Sequence, residues 1–248
     1  MAAASDQTLR RVAVATLDQL ERLLPADPSS TARDQCGQVL FLLTDALQTL
    51  GFGSNTRPGS LAEHLVDRHH AEAGIRELIR AVIGSDTPAS LLPQANRLLA
   101  DLRAELSGAA LPAVVTSLFG TVRLVDYLRG VLIEAVACAL RFDCEVAPKA
   151  VTEAARALTS VLGTRYPGSV IEVRVPPAAA VQLGAFGAGP SHTRGTPPNV
   201  VEMDPTTFVA LATGVTDWGR ELAEHRVAAS GAQVDALARM LPVISLAR

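Results

Sequence analysis

The stretch Ser169-Val-Ile-Glu-Val-Arg-Val175 changes the hydrophobic period of the chain from that of a helix to that of a strand. Aliphatic and polar side chains alternate along it, which is the two-residue repeat of a strand buried on one face. Pro176-Pro177 ends the run, because proline has no amide hydrogen to donate to a sheet. We therefore expect a sheet in this part of the chain.

The rest of residues 146–248 contains signals for helices and for further strands. Asp204-Pro205 is a strong helix start, with the aspartate as N-cap and the proline as the first helical residue. We predict an α+β domain whose sheet is backed by helices on one face. The predicted helices cover residues 148–164, 206–213, a segment holding Trp218 and Leu222, and 232–241, and the predicted strands cover 169–175, 179–185, 199–203 and 226–230.

Residues 1–145 show apolar side chains at helical spacing, separated by short glycine- and proline-rich breaks. Ser60-Leu-Ala-Glu63 is a capping-box pattern that starts one of these helices. Four or five antiparallel helices joined by short loops form a bundle. The predicted helices cover residues 7–24, 31–50, 61–82, 90–106 and 111–142, the last with a bend at Phe119-Gly120.

Composition excludes several classes of function. The net charge of −3 lacks the basic excess that phosphate-dominated nucleic-acid binding needs, so we expect no nucleic-acid partner. No run of 18 apolar residues is free of charge, and the start of the chain lacks the pattern of a signal peptide. Three cysteines without regular spacing do not form a disulfide framework. We expect a cytoplasmic protein.

The C-terminal part resembles a known family. Residues 169–177, Ala180-Val-Gln182 and the block from Gly189 to Pro205 are similar to the actinobacterial sterol-carrier-like proteins. The resemblance covers residues 148–246. It implies a sterol-carrier fold, in which a curved sheet backed by helices often encloses an apolar tunnel for lipids.

The N-terminal part is similar to the four-helix bundles of the DinB and mycothiol-dependent maleylpyruvate isomerase group. The local match is Val122-Arg-Leu-Val-Asp-Tyr127 followed by Ile133-Glu-Ala-Val-Ala-Cys138. Those enzymes join such a bundle to a sterol-carrier-like tail. In the metal-binding members a Glu and a His lie four residues apart on this helix. Here Glu134 matches, Cys138 stands at the His position, and His64 is the counterpart of a further His from an earlier helix.

These residues suggest a divalent metal such as zinc held by His64, Glu134 and Cys138. Glu134 and Cys138 are one helical turn apart, so both side chains can reach one ion. Two other interpretations compete with this one. In one of them, Cys138 is a small buried apolar residue and binds no metal. In the other, Glu134 either faces solvent or pairs with Arg123 or Arg129.

A second candidate site lies in the C-terminal part. The loop from Ser191 to Asn199 gathers hydrogen-bond donors on a glycine- and proline-rich frame, and its Arg194 suits a ligand carboxylate. Alternatively, these side chains satisfy the loop backbone, and Arg194 pairs with an internal acid. Apolar residues either line a ligand tunnel or form a packed core. The candidate ligand-binding residues are His192, Arg194, Thr196, Asn199, Phe186, Phe208 and Trp218.

Three functions follow from these patterns. The first is a non-catalytic sterol-carrier-like protein that binds a small apolar or amphipathic ligand of the lipid or acyl class, or acts as an interaction module. The alternative is a diverged metal- and thiol-cofactor-dependent isomerase or transferase of the maleylpyruvate isomerase type. The third is a homodimer formed through the Ala/Leu-rich bundle.

Overall fold

The computed structural model describes residues 2–26, 32–108, 110–184, 186 and 199–246. The chain forms two compact units, Met1–Ala150 and Val151–Arg248. Helices dominate the first unit, and a mixed sheet lies in the second, so the predicted α+β class with an N-terminal bundle is confirmed. None of the described helices is both long and apolar enough to span a membrane.

The N-terminal unit is a bundle with one β-hairpin. Its central helix α6 (Leu124–Arg141) is buried along nearly its whole length. It packs against α1 (Ala2–Arg22), α2 (Arg33–Leu50) and α3 (Leu61–His70), while α2 also packs against α5 (Pro88–Leu106). Burial of these aliphatic faces is the main stabilising term of the unit. The elements are α1 (Ala2–Arg22), α2 (Arg33–Leu50), α3 (Leu61–His70), α4 (Glu72–Ile83), α5 (Pro88–Leu106), β1 (Val114–Ser117), β2 (Gly120–Arg123) and α6 (Leu124–Arg141).

The capping box at the start of α3 is confirmed. The Ser60 hydroxyl accepts from the Glu63 amide at 3.2 Å, and the Glu63 carboxylate accepts from the Ser60 amide at 2.7 Å. The single helix predicted over residues 61–82 is wrong, because α3 ends at His70 and α4 starts at Glu72. No proline or glycine marks this break in the sequence.

The long helix predicted over residues 111–142 is also wrong in its first part. Residues 114–123 form the hairpin of β1 and β2, in which Val115 pairs with Val122 and Ser117 with Gly120. Gly120 has a φ of +94°, which an L residue rarely adopts, so it allows the tight turn. The pair Phe119-Gly120 therefore marks a turn between strands, and the bend predicted there is absent.

The C-terminal unit carries the predicted sheet. Its strands are β3 (Pro167–Val175), β4 (Ala179–Leu183), β5 (Asn199–Met203) and β6 (Val227–Ser230). They lie in the order β4-β3-β5-β6, with β3 antiparallel to β4 and parallel to β5, and β5 antiparallel to β6. The elements are α7 (Pro148–Arg165), β3 (Pro167–Val175), β4 (Ala179–Leu183), β5 (Asn199–Met203), α8 (Pro205–Ala212), α9 (Trp218–Ala223), β6 (Val227–Ser230) and a 3-10 helix (Val234–Arg239) where an α-helix was predicted.

Local chemistry explains these elements. The aliphatic residues of β3 from Ile171 to Val175 are fully buried, as the alternation predicted. The Asp204 side chain accepts from the first amides of α8, at 2.8 Å from Thr206. Helix α7 approaches the sheet closely at Gly163, where a Cβ would lie 2.6 Å from a methyl group of Val181. Glycine at this position therefore sets the helix-to-sheet distance.

Candidate functional site

A cluster of polar side chains lies inside the helical unit. Asp45 comes from α2, His64 and Arg68 from α3, and Tyr127 and Glu134 from α6, and each is at most 6 % exposed. His64 and Arg68 are one turn apart and Tyr127 and Glu134 two turns apart, so each pair shares one face of its helix. Burial of this many polar groups is costly unless they pair with one another.

The ion pair of Arg68 and Glu134 is the centre of this cluster. Arg68 donates through Nε to Oε2 of Glu134, and its Nη2 completes the ion pair. Gln38 donates to the other carboxylate oxygen at 2.6 Å. The guanidinium carbon lies 5.3 Å from the ring centroid of Phe41 and 4.9 Å from that of Phe119. Arg68 is thus held by a carboxylate and by two aromatic faces.

A second pair extends the cluster from the central helix to α2. The Tyr127 hydroxyl donates to Oδ2 of Asp45 at 2.7 Å. Burial raises the pKa of Asp45, while the charge of Arg68 and the hydrogen bond from Tyr127 oppose that rise. Burial also raises the pKa of Tyr127 well above its usual value, and the neighbouring Asp45 adds to this. Tyr127 is therefore a hydrogen-bond donor at neutral pH.

His64 is an incompletely satisfied member of the cluster. Its Nδ1 is buried and has no hydrogen-bond partner among the described residues. Its ring packs edgewise against Phe119 and Tyr127, and Gly130 makes room for it, since a Cβ there would lie 3.2 Å from Nε2. Burial, and then the charge of Arg68, lower its pKa to about 4, against the opposing effect of Asp126. His64 is therefore neutral at physiological pH.

The lowered pKa of His64 predicts a pH dependence of stability. The pKa is about 4 in the folded protein and 6.5 in a free histidine, so unfolding takes up a proton between these values. The free energy of unfolding should therefore fall as the pH falls from about 6.5 to about 4. Asp45, with its raised pKa, contributes in the opposite sense at acid pH.

Urea denaturation of the native protein and of His64→Gln, measured between pH 4 and pH 7, isolates this effect. The glutamine does not titrate, while Asp45 and the surface carboxylates remain in both proteins. The variant should show a flatter dependence of unfolding free energy on pH. Equal slopes in the two proteins would contradict the assignment to His64.

The residues predicted to hold a metal have other partners in the structure. In the described ranges no group of three His, Cys, Asp or Glu side chains is placed to hold an ion, so the structure does not show the site predicted at His64, Glu134 and Cys138. The Glu134 carboxylate pairs instead with a guanidinium. Burial, and then the charge of Glu134, raise the pKa of Cys138 to about 12, so its sulfur is a neutral thiol in this protein. These residues do not fit a divalent metal.

The partner of Glu134 is the main residue that the sequence did not indicate. One interpretation of the sequence pairs Glu134 with an arginine, but the arginines it indicates are Arg123 and Arg129, which are near Glu134 in the chain. Both of these bind Asp126 at 2.9 Å. Arg68 reaches Glu134 from another helix, 66 residues away in the chain. Its position one turn after His64 was the only signal in the sequence.

An apolar pocket of about 240 Å³ lies next to the polar cluster. Phe41 and Asp45 belong to both features, since they line the pocket and also face Arg68 or Tyr127. Three of the apolar lining residues, Leu78, Val82 and Leu118, are 49 %, 65 % and 65 % exposed. The lining residues are Gly37, Leu40, Phe41, Thr44, Asp45, Gln48, Leu78, Ile79, Val82, Ile83, Gln94 and Leu118.

Most of the polar ligand-binding residues predicted in the C-terminal part cannot be placed. His192, Arg194 and Thr196 lie outside the described residues. Asn199 is buried at the start of β5, where its amide donates to the Val170 carbonyl at 2.9 Å and its oxygen accepts from the Gln233 amide at 2.8 Å. These bonds tie β5 to two other segments, which is a structural role.

The three aromatic candidates of the C-terminal part lie in different environments. Phe208 is fully buried in α8. Phe186 is 48 % exposed and contacts the ring of Tyr166 and the guanidinium of Arg239. Trp218 is half-buried, and its indole nitrogen has no hydrogen-bond partner in the part of the chain that is described. Their role in binding a ligand stays a prediction.

Comparison with known families bears on the C-terminal part alone. Residues 148–243 match the model of the family described as "Bacterial SCP ortholog". This confirms the sterol-carrier resemblance of that part of the chain. A search of curated proteins found no match.

Comparison with solved structures bears on the fold. A crystal structure of a mutant of the mycothiol-dependent maleylpyruvate isomerase is similar over 92 % of this chain and 92 % of that chain, with a TM-score of 0.51 and 14 % identity. A second crystal structure of that isomerase covers 86 % of this chain and 89 % of its own, with a TM-score of 0.49 and 14 % identity. The first likeness shows a shared fold and does not extend to activity.

Proposed function

We propose that this protein is a non-catalytic, sterol-carrier-like binding protein, and that its helical unit holds a small apolar or amphipathic ligand of the lipid or acyl class. The observation that carries the proposal is the apolar pocket of about 240 Å³ between α2, α4, α5 and the β1-β2 turn. The match of residues 148–243 to a bacterial SCP family supports a carrier role for the chain.

The size and lining of the pocket set the class of ligand. An apolar cavity of about 150 Å³ accepts benzene. The present pocket is larger, at about 240 Å³, so it suits a bigger apolar body such as a short acyl chain or a ring system. Thr44, Asp45 and Gln48 follow one side of the pocket on α2, and they can orient one polar end of the ligand.

The state of the neighbouring reactive groups supports binding rather than catalysis. Cys138 is a buried thiol with a pKa of about 12, so it is a poor nucleophile at neutral pH. Glu134 is neutralised by Arg68 and also accepts from Gln38. Glu134, Arg68 and Gln38 satisfy one another, which is the arrangement of a stable interior.

One observation favours the isomerase type as a second candidate. Nδ1 of His64 is buried, neutral and unpartnered among the described residues, so it is able to donate or accept a hydrogen bond with a bound substrate. Incubation of the protein with mycothiol and maleylpyruvate tests this candidate directly. Turnover that is lost in His64→Ala would favour it, and absence of turnover would favour the binding protein.

A pocket-filling variant tests the binding proposal. Thr44 is an exposed residue of α2 that lines the pocket, so Thr44→Trp should fill the space with little effect on the core. We expect 1-octanol, which carries one hydroxyl on an apolar chain, to bind the native protein with one site. Thr44→Trp should weaken this binding at least about tenfold, as measured by isothermal titration calorimetry.

The matched control is Ala100→Trp, which places the same side chain on an exposed position of α5 outside the pocket lining. It should bind 1-octanol like the native protein. Equal affinity in all three proteins would place the octanol elsewhere and contradict the proposed site.

A further inference from the structure

The central helix of the bundle presents Glu134 and Cys138 one turn apart, and α3 presents His64 to the same helix. This spacing suits a metal ion, but a guanidinium lies against the carboxylate. Arg68 is 4 % exposed, so its charge is a permanent part of the interior. A cation is therefore present at Glu134, supplied by the chain itself.

We infer that Arg68 takes the place of a metal ion at Glu134, and that the helical unit of this protein holds no divalent cation there. The inference concerns the polar cluster and not the apolar pocket, so it does not depend on the proposed ligand. Arg68 neutralises the charge of Glu134, which the spacing of Glu134 and Cys138 would otherwise lead us to expect of a metal ion.

The ligand atoms that an ion needs are already engaged. Oε2 of Glu134 accepts from Arg68, and Oε1 accepts from Gln38 at 2.6 Å. A divalent ion bound to Glu134 would lie beside the guanidinium, and repulsion between like charges is strong in a buried site. The ion would have to displace both donors before it bound.

The surroundings of Arg68 show that the guanidinium is fitted to this position. Its carbon lies within 5.3 Å of the ring centroids of Phe41 and Phe119, which are on α2 and on the β1-β2 turn. Aromatic faces stabilise a desolvated guanidinium. Loss of the arginine would leave Glu134 as an uncompensated buried charge, which a bound cation could compensate.

If Arg68 compensates Glu134 in place of an ion, removal of Arg68 should allow a metal site to be introduced. In the double variant Arg68→Ala/Cys138→His, Glu134 is released and an imidazole is placed one turn from it, with His64 nearby. We expect the native full-length protein to take up no stoichiometric Zn²⁺ in isothermal titration calorimetry. The double variant should bind one Zn²⁺ per chain at least about 100-fold more tightly, and adding Glu134→Gln should abolish that binding.

Substitution with Co²⁺ gives an independent readout, because visible absorption reports tetrahedral coordination in the double variant only. Circular dichroism of each protein establishes that it is folded, and Cys138→His alone, with Arg68 kept, should remain metal-free. One Zn²⁺ per chain in the native protein, lost in Glu134→Gln, would overturn the inference. A folded double variant that binds no Zn²⁺ would also overturn it.

Discussion

Arg68→Leu should lower the free energy of unfolding by about 3–5 kcal/mol, because it leaves the Glu134 carboxylate buried without its counter-charge. Arg68 and Glu134 are 4 % and 6 % exposed, so solvent cannot replace the lost partner. The packing of the guanidinium on Phe41 and Phe119 is lost in the same variant. Urea denaturation followed by far-ultraviolet circular dichroism measures the change.

Two control variants separate the charge effect from lost packing. Arg68→Leu/Glu134→Leu removes both charges and should recover much of the lost stability. Arg103→Ala breaks an exposed pair with Glu21, whose side chains are 52 % and 57 % exposed, and should cost less than about 1 kcal/mol. An Arg68→Leu protein no less stable than Arg103→Ala would contradict the buried ion pair.

Phe208→Ala should destabilise the C-terminal unit by about 3–5 kcal/mol, the usual cost of removing a fully buried phenylalanine from a packed core. The side chain is 0 % exposed, and its neighbour on α8, Val209, is buried as well. Hydrogen exchange of the β3 amides in the full-length protein reports the stability of this unit separately from that of the bundle.

Phe186→Ala is the matched control, because Phe186 is 48 % exposed and its loss should cost less than about 1 kcal/mol. Comparison of the two variants also distinguishes a packed core around Phe208 from a ligand tunnel. A cost below about 1 kcal/mol for Phe208→Ala would mean that its ring lines empty space. The ligand site would then belong in the C-terminal unit rather than in the bundle.

Local signals in the sequence predicted much of the fold. The alternation of Ser169–Val175, the N-cap Asp204 and the capping box at Ser60 all depend on neighbours within a few residues, and all are present in the structure. The hairpin of β1 and β2 was missed because its strands are only four residues each, too short for a clear alternation. The turn glycine Gly120 was taken for a helix bend.

The site depends on long-range packing, which one sequence does not reveal. The spacing of Glu134 and Cys138 is a real feature of α6, but the identity of their neighbours is decided by how α3 packs on that helix. Arg68 lies on the face of α3 that meets Glu134, and only the structure shows this contact. The pocket was missed for the same reason, since its walls come from three helices and a turn.

The most direct test of the proposed function is an NMR titration of the full-length protein with 1-octanol, which follows the backbone amide signals of both units. We expect saturable shifts at the pocket residues, with Gly37, Thr44 and Ile79 among the largest. The Thr44→Trp protein should lose these shifts. Shifts confined to residues 151–246, or no saturable shift at all, would contradict a ligand site in the bundle.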